Sequence, residues 1–160
     1  MQLTTLSKNI VIGVIAAFVA VMGLLVAVAA VAPEPAVKGT LTSTLEDIED
    51  SGLHATAVAP ADVYGDKWVA GAFVCPGMDA NYVKQALQLD PAQVGLREGQ
   101  TVEKTKNFLV LRDQEGGAYV EELSRFDVDL CTSPVEGYFD THVLLAMLKT
   151  EADNWALAIQ

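Results

Sequence analysis

The feature that most constrains this chain is an apolar run near its start, which extends from Ile10 to Ala32. Its 23 residues include no charged and no strongly polar side chain. A helix rises about 1.5 Å per residue, so one of this length covers the roughly 30 Å hydrocarbon core of a bilayer. The run therefore predicts a transmembrane helix over residues 10–32, preceded by a short tail over residues 1–9.

A cleaved secretory signal is the alternative interpretation of the same run. Such a signal has an apolar region of about 7–15 residues before a small-x-small cleavage site. Here the apolar run is longer, and its best site ends at Ala32, directly before Pro33, where signal peptidase cleaves poorly. We expect an anchor that is kept, and the mature N-terminus decides between the two interpretations.

The distribution of charge predicts how the anchor is oriented. Lys8 is the only basic residue ahead of the run, and the first acidic residue, Glu34, comes after it. Positive charge near a span favours the cytoplasmic side. We therefore expect a single-pass protein of the plasma membrane, with a cytoplasmic N-terminus and an extracytoplasmic C-terminal domain.

Small residues form a stripe along one side of the predicted span. In the membrane, where lipid is as apolar as the helix, small side chains let two helices approach closely. An alanine-rich helix also produces such stripes by composition alone. The sequence nevertheless predicts a helix-packing interface with another membrane-protein subunit at Gly13, Ala16, Ala20, Gly23, Ala27 and Ala30.

The remainder of the chain is strongly acidic. All 21 acidic residues and nine of the ten basic ones follow residue 32, which gives this part a formal charge of −12. Nucleic acid is excluded as an expected partner because its recognition needs clustered Lys and Arg. Contact with the lipid bilayer is expected through the span, and a cationic protein fits the charge of the outer part.

Cys75 and Cys131 both lie in the part predicted to be outside the membrane. Oxidising compartments favour disulfides, and neither cysteine belongs to a Cys-x-x-Cys redox motif. The two cysteines are therefore predicted to form one structural disulfide.

A stalk is predicted over residues 33–40, because the Pro33-Glu34-Pro35 sequence stops a helix. A short amphipathic helix then follows over Thr42 to Asp50, with Ser43 and Glu46 in the spacing of a capping box. Its polar side forms a candidate docking patch of Glu46, Asp47, Glu49 and Asp50. The spacing of these acids lacks the alternation of a calcium loop, so no metal site is predicted.

The segments from residue 41 to 160 predict one α+β domain, with a mostly antiparallel sheet and one main helix. Residues 54–59 and 67–74 are interpreted as one hairpin, and residues 107–112 and 118–123 as another. The main helix runs from a cap at Asp79 to about Leu89, and residues 126–131 read as a half-buried strand. The pattern of Val143 to Leu148 fits either a helix or a strand. We favour a strand that forms a final hairpin with residues 155–159.

No catalytic motif is present in the sequence. There is no nucleophile elbow, no phosphate-binding glycine loop and no haem-attachment motif. The two histidines, His54 and His142, are far apart and show no metal-ligand spacing. We therefore expect a protein that is not an enzyme and carries no cofactor.

This layout of short tail, small-residue span, Pro-x-Pro stalk and acidic two-cysteine domain resembles the small accessory subunits of actinobacterial cytochrome bc–oxidase respiratory supercomplexes. The resemblance covers the architecture of the whole chain and includes no specific motif. It implies a non-redox subunit packed beside the helices of a larger complex. The alternative function is an anchored sensor or carrier, which would bind a small ligand in an aromatic-lined cavity near Trp68 or Trp155.

Overall fold

The computed structural model describes residues 40–133 and 136–158. The predicted tail, the predicted transmembrane helix and stalk residues 33–39 lie outside the described residues. Within the described ranges, no helix has the length and apolar character needed to cross a bilayer.

The described chain is a mixed α+β domain, as predicted. Its helices are α1 (Thr40–Asp50), α2 (Pro60–Tyr64), α3 (Ala80–Gln85) and a 3₁₀ turn (Pro91–Val94). Its strands are β1 (Ala55–Val58), β2 (Trp68–Val74), β3 (Lys106–Asp113), β4 (Ala118–Ser124), β5 (Val128–Asp129), β6 (Phe139–Asp140), β7 (Leu145–Lys149) and β8 (Trp155–Leu157).

The strands form two four-stranded sheets rather than the single sheet predicted. The first sheet has the order β1-β7-β8-β5, and the second has the order β4-β3-β2-β6. Only the β5–β8 pairing is parallel among the pairings of these strands. The predicted hairpin of residues 54–59 and 67–74 is therefore wrong, because its two strands form but join different sheets.

The second sheet is buried on both faces, which explains the continuous apolar sequence of β3. One face contributes Leu109 and Leu111 to a core shared with α1 and the first sheet. The opposite face contributes Phe108 and Val110 to a smaller core beneath α3 and the 3₁₀ turn. The β3–β4 hairpin predicted from the sequence is confirmed, as is the final β7–β8 hairpin.

The helix predicted after Asp79 is confirmed at its start. The Asp79 carboxylate accepts a hydrogen bond from the Tyr82 N–H at 2.7 Å, as an N-cap should. The helix ends earlier than predicted, at Gln85, and Ala86 directly after it is exposed. Arg112 holds the chain beyond this end, since its guanidinium donates to the Leu87 carbonyl at 3.0 Å.

The strand predicted over residues 126–131 is shorter, and two of its side chains depart from simple inward–outward alternation. Only Val128–Asp129 is a strand, Phe126 is 73 % exposed, and the Asp129 side chain is buried. Asp129 is stabilised inside by Arg125 at 2.6 Å and by the N–H of Cys131 at 2.9 Å. These partners compensate the desolvation of the carboxylate, which simple alternation does not anticipate.

Candidate functional site

The predicted disulfide is confirmed between Cys75 and Cys131. Cys75 directly follows β2 of the second sheet, and Cys131 lies two residues after β5 of the first. The bond therefore ties the two sheets together, across a sequence separation of 56. Both cysteines are half-buried, and this link between the two sheets identifies the bond as structural.

A buried carboxyl group lies at the point where the chain enters the domain. Glu121 of β4 is only 1 % exposed and points towards the core shared by both sheets. Its Oε1 accepts the backbone N–H of Leu41, in the first turn of α1, at 3.2 Å. Its Oε2 accepts the hydroxyl of Tyr64, from α2. One side chain thus connects β4 to both helices that begin the domain.

This arrangement corrects the predicted capping box of α1. The helix begins at Thr40, and Ser43 lies inside it with its hydroxyl bonded to the Thr40 carbonyl. The first backbone N–H groups of a helix have no partner within the helix, so the buried N–H of Leu41 needs an acceptor from elsewhere. Glu121 supplies that acceptor from 80 residues away, and its acidic group is also favourable at the N-terminal end of a helix dipole.

Aromatic side chains lie beside Glu121 at this core. Tyr119 packs against Tyr64 at 5.6 Å and against Trp68 at 5.8 Å between ring centroids. Burial and the neighbouring Glu121 carboxylate raise the pKa of Tyr64 well above its usual range. The same two causes raise the pKa of Tyr119. Both hydroxyls therefore remain protonated at neutral pH, which suits them to donate hydrogen bonds rather than to act as bases.

The candidate docking patch lies on α1, as its sequence predicts. Glu46, Asp47 and Asp50 are exposed. Glu49 instead pairs with the ammonium of Lys149 on β7, which also lies 3.4 Å from Asp153. Glu49 therefore helps to hold α1 against the first sheet. Whether the remaining three acids bind a partner stays a prediction.

Two open grooves lie on the side of the domain that carries α3. The larger of the two has a volume of about 750 Å³ and is lined by polar and apolar residues in equal number, from α3 and the segment after it, including Lys84, Gln88 and Glu98. The smaller has a volume of about 370 Å³ and is bordered by Lys106 and Glu122. Neither groove is lined by Trp68 or Trp155, the residues that the ligand-binding alternative requires. Both tryptophans belong to the packed core.

The histidine His142 lies on the surface beside two aspartates. Its Nδ1 lies 3.1 Å from Asp140 and its Nε2 lies 3.9 Å from Asp66. The backbone N–H and then the ring of His142 lower the pKa of Asp140. Across residues 40–133 and 136–158, no three or more His, Cys, Asp or Glu side chains are placed to hold a metal ion.

The helix-packing residues Gly13, Ala16, Ala20, Gly23, Ala27 and Ala30 lie outside the described residues, and that interface stays a prediction. Sequence reasoning missed Glu121 because Glu121 and Glu122 are adjacent in β4, so alternation alone does not say which one faces inward.

Comparisons with protein-family models, curated proteins and solved structures found no match to this chain.

Proposed function

We propose that this chain is a non-catalytic, single-pass accessory subunit that stabilises or regulates a larger complex of the plasma membrane. The span over residues 10–32 anchors it among other membrane subunits, and the α+β domain stands on the extracytoplasmic side. Because the layout of the chain resembles that of accessory subunits of cytochrome bc–oxidase complexes, these complexes are the first candidates for the partner.

The observation that carries this proposal is the Cys75–Cys131 disulfide. Persistent structural disulfides are typical of oxidising compartments outside the cytoplasm. A disulfide-bonded domain that follows a 23-residue apolar run fits an anchored protein whose folded part lies outside. The role of Glu121 supports a structural interpretation of the domain, since its two oxygens accept hydrogen bonds from α1 and from Tyr64.

The attachment to a partner is expected to depend on the small-residue stripe of the span. Replacing Gly23 or Ala20 by Leu adds a bulky side chain where close helix contact is proposed, and should separate the helices. Val26→Leu changes the opposite side of the helix and is the matched control. We expect the partner to co-purify with the wild type and Val26→Leu in mild detergent, and to be lost from Gly23→Leu and Ala20→Leu.

Equal recovery of the partner with all three variants would place the attachment elsewhere. In that case the acidic outer domain would have to hold the partner. Binding of that kind should weaken at high salt, because salt screens attraction between exposed charges.

A further inference from the structure

The outward face of β1 and β7 is unusual for an exposed sheet. In their register, Ala55 lies opposite Leu148 and Ala57 lies opposite Ala146. The alternate pairs, which include Val58 with Leu145, face the core. An antiparallel sheet with one solvated face normally places polar residues on that face. Here the four outward positions, which we name the alanine face, carry only apolar side chains: Ala55, Ala57, Ala146 and Leu148.

The alanine face lies next to the outer edge of the first sheet. β1 is the terminal strand of its sheet and pairs only with β7. Among residues 40–133 and 136–158, no other backbone hydrogen bond reaches Ala55–Val58, so no described segment pairs with the second edge of β1, which we call the open edge. Natural edge strands are usually protected by shortness, charged residues, proline or a bulge. β1 is short, at four residues, but its sequence, Ala-Thr-Ala-Val, contains neither charge nor proline.

Exposed leucines and acidic side chains lie at one end of this surface. Leu53, two residues before β1, is 54 % exposed, and Leu148 is 47 % exposed. Asp50 ends α1 just before Leu53, and Glu151 and Asp153 lie in the turn after β7. The nearby ammonium of Lys149 is already paired with Glu49 and Asp153. The surface therefore combines apolar contact area with excess negative charge.

We propose that the open edge of β1 and the alanine face bind an extended, positively charged segment of a partner protein, which adds to the sheet as a strand beside β1. In this mode backbone hydrogen bonds provide affinity, and alternate side chains provide specificity. Apolar side chains of the segment would pack near Leu53 and Leu148, and basic ones would meet Asp50, Glu151 and Asp153. This proposal rests on the accessory-subunit function and names the outer contact of that same protein.

A second copy of this chain fits the surface less well than a basic partner. Two copies would bring together two domains that each carry a formal charge of −12 beyond residue 32. Like net charges of this size oppose association. Charge therefore selects the basic segment as the occupant.

The test uses a nine-residue peptide that alternates lysine and valine, with the full chain in mild detergent. We expect saturable binding, with slower amide hydrogen exchange in Ala55–Val58. A glutamate–valine peptide should not bind, because its negative charge is repelled by the acidic residues of this surface. A peptide of the same lysine–valine composition with a central proline should bind at least about tenfold more weakly, because proline interrupts the strand ladder.

Two protein variants locate the binding surface. Leu148→Glu should weaken binding of the lysine–valine peptide roughly tenfold, even though it adds a negative charge, because it removes the exposed leucine of the alanine face. Phe126→Glu makes the same charge change beside β5, at the other edge of the sheet, and should bind like the wild type.

Absence of peptide binding to the wild type, or equal binding by Leu148→Glu, would overturn the proposal. A dimer of the wild type in light scattering that Leu148→Glu abolishes would also overturn it, since the occupant would then be a second copy. Failure of this proposal can be distinguished from failure of the accessory-subunit function, because co-purification of the partner with the Gly23 and Ala20 variants tests that function separately.

Discussion

Removal of the Cys75–Cys131 disulfide should lower the free energy of unfolding of the outer domain by about 4 kcal/mol. That is the chain-entropy value for a closed loop of this length, since the cysteines are 56 residues apart. Domains of this size have roughly 5–15 kcal/mol of stability, so the loss would take a large share of it. The bond joins the two sheets, and its loss should therefore affect both.

The measurement is urea unfolding of the full chain in mild detergent, with circular dichroism as the signal that monitors unfolding. The double replacement Cys75→Ala with Cys131→Ala avoids leaving a reactive thiol, and should lower the urea midpoint by roughly 2 M. Treating the wild type with reductant should give a similar midpoint, and reductant should not change the double variant. A loss below about 1 kcal/mol would contradict the structural role assigned to the bond.

Replacement of Glu121 by Ala should lower the free energy of unfolding by about 3 kcal/mol. The change leaves the N–H of Leu41 and the hydroxyl of Tyr64 without their acceptor inside the protein. Each unsatisfied buried donor costs about 1–3 kcal/mol, and the shortened side chain leaves a cavity. The first turn of α1 should also exchange its amide hydrogens faster, because Glu121 is the acceptor for Leu41.

Glu122→Ala is the matched control for that experiment. Glu122 is the next residue on β4, but it is exposed and pairs with Lys106 at the surface, at 2.9 Å. Exposed ion pairs contribute about 0–1 kcal/mol, so this variant should remain close to the wild type. If Glu121→Ala and Glu122→Ala unfold at the same urea concentration, Glu121 does not hold α1 and α2 in place.

The features predicted correctly from the sequence are those whose signals are local. The β3–β4 hairpin has two strand-like runs with a Gly-Gly turn between them, and the two strands pair with each other as predicted. The Asp79 cap depends on an N–H three residues away. The disulfide followed from composition and compartment, since only two cysteines were available.

The errors concern partners that are distant in the sequence. β1 and β2 were interpreted as a hairpin because they are neighbours in the chain, yet β1 pairs with β7, some 90 residues later. The cap of α1 comes from Glu121 rather than from its own Ser43. Likewise Asp129 is buried because Arg125 and the N–H of Cys131 compensate its charge. No periodicity within a single segment contains this information.

The alanine face shows why a candidate surface was also missed. Residues 55 and 57 are small, and a weak alternation of alanine with threonine and valine does not distinguish inside from outside. Only the pairing with β7 shows that Ala55, Ala57, Ala146 and Leu148 share one outward side. The surface is therefore a property of the assembled sheet.

The central claim is that the folded domain is permanently attached to the membrane by residues 10–32. Intact-mass measurement of the native protein extracted from membranes tests it most directly. We expect a mass that includes residues 10–32 and falls by about 2 Da relative to the reduced chain, because one disulfide is present. A mature N-terminus anywhere from Ala30 to Pro33 would contradict the claim, because the apolar run would then be a cleaved signal.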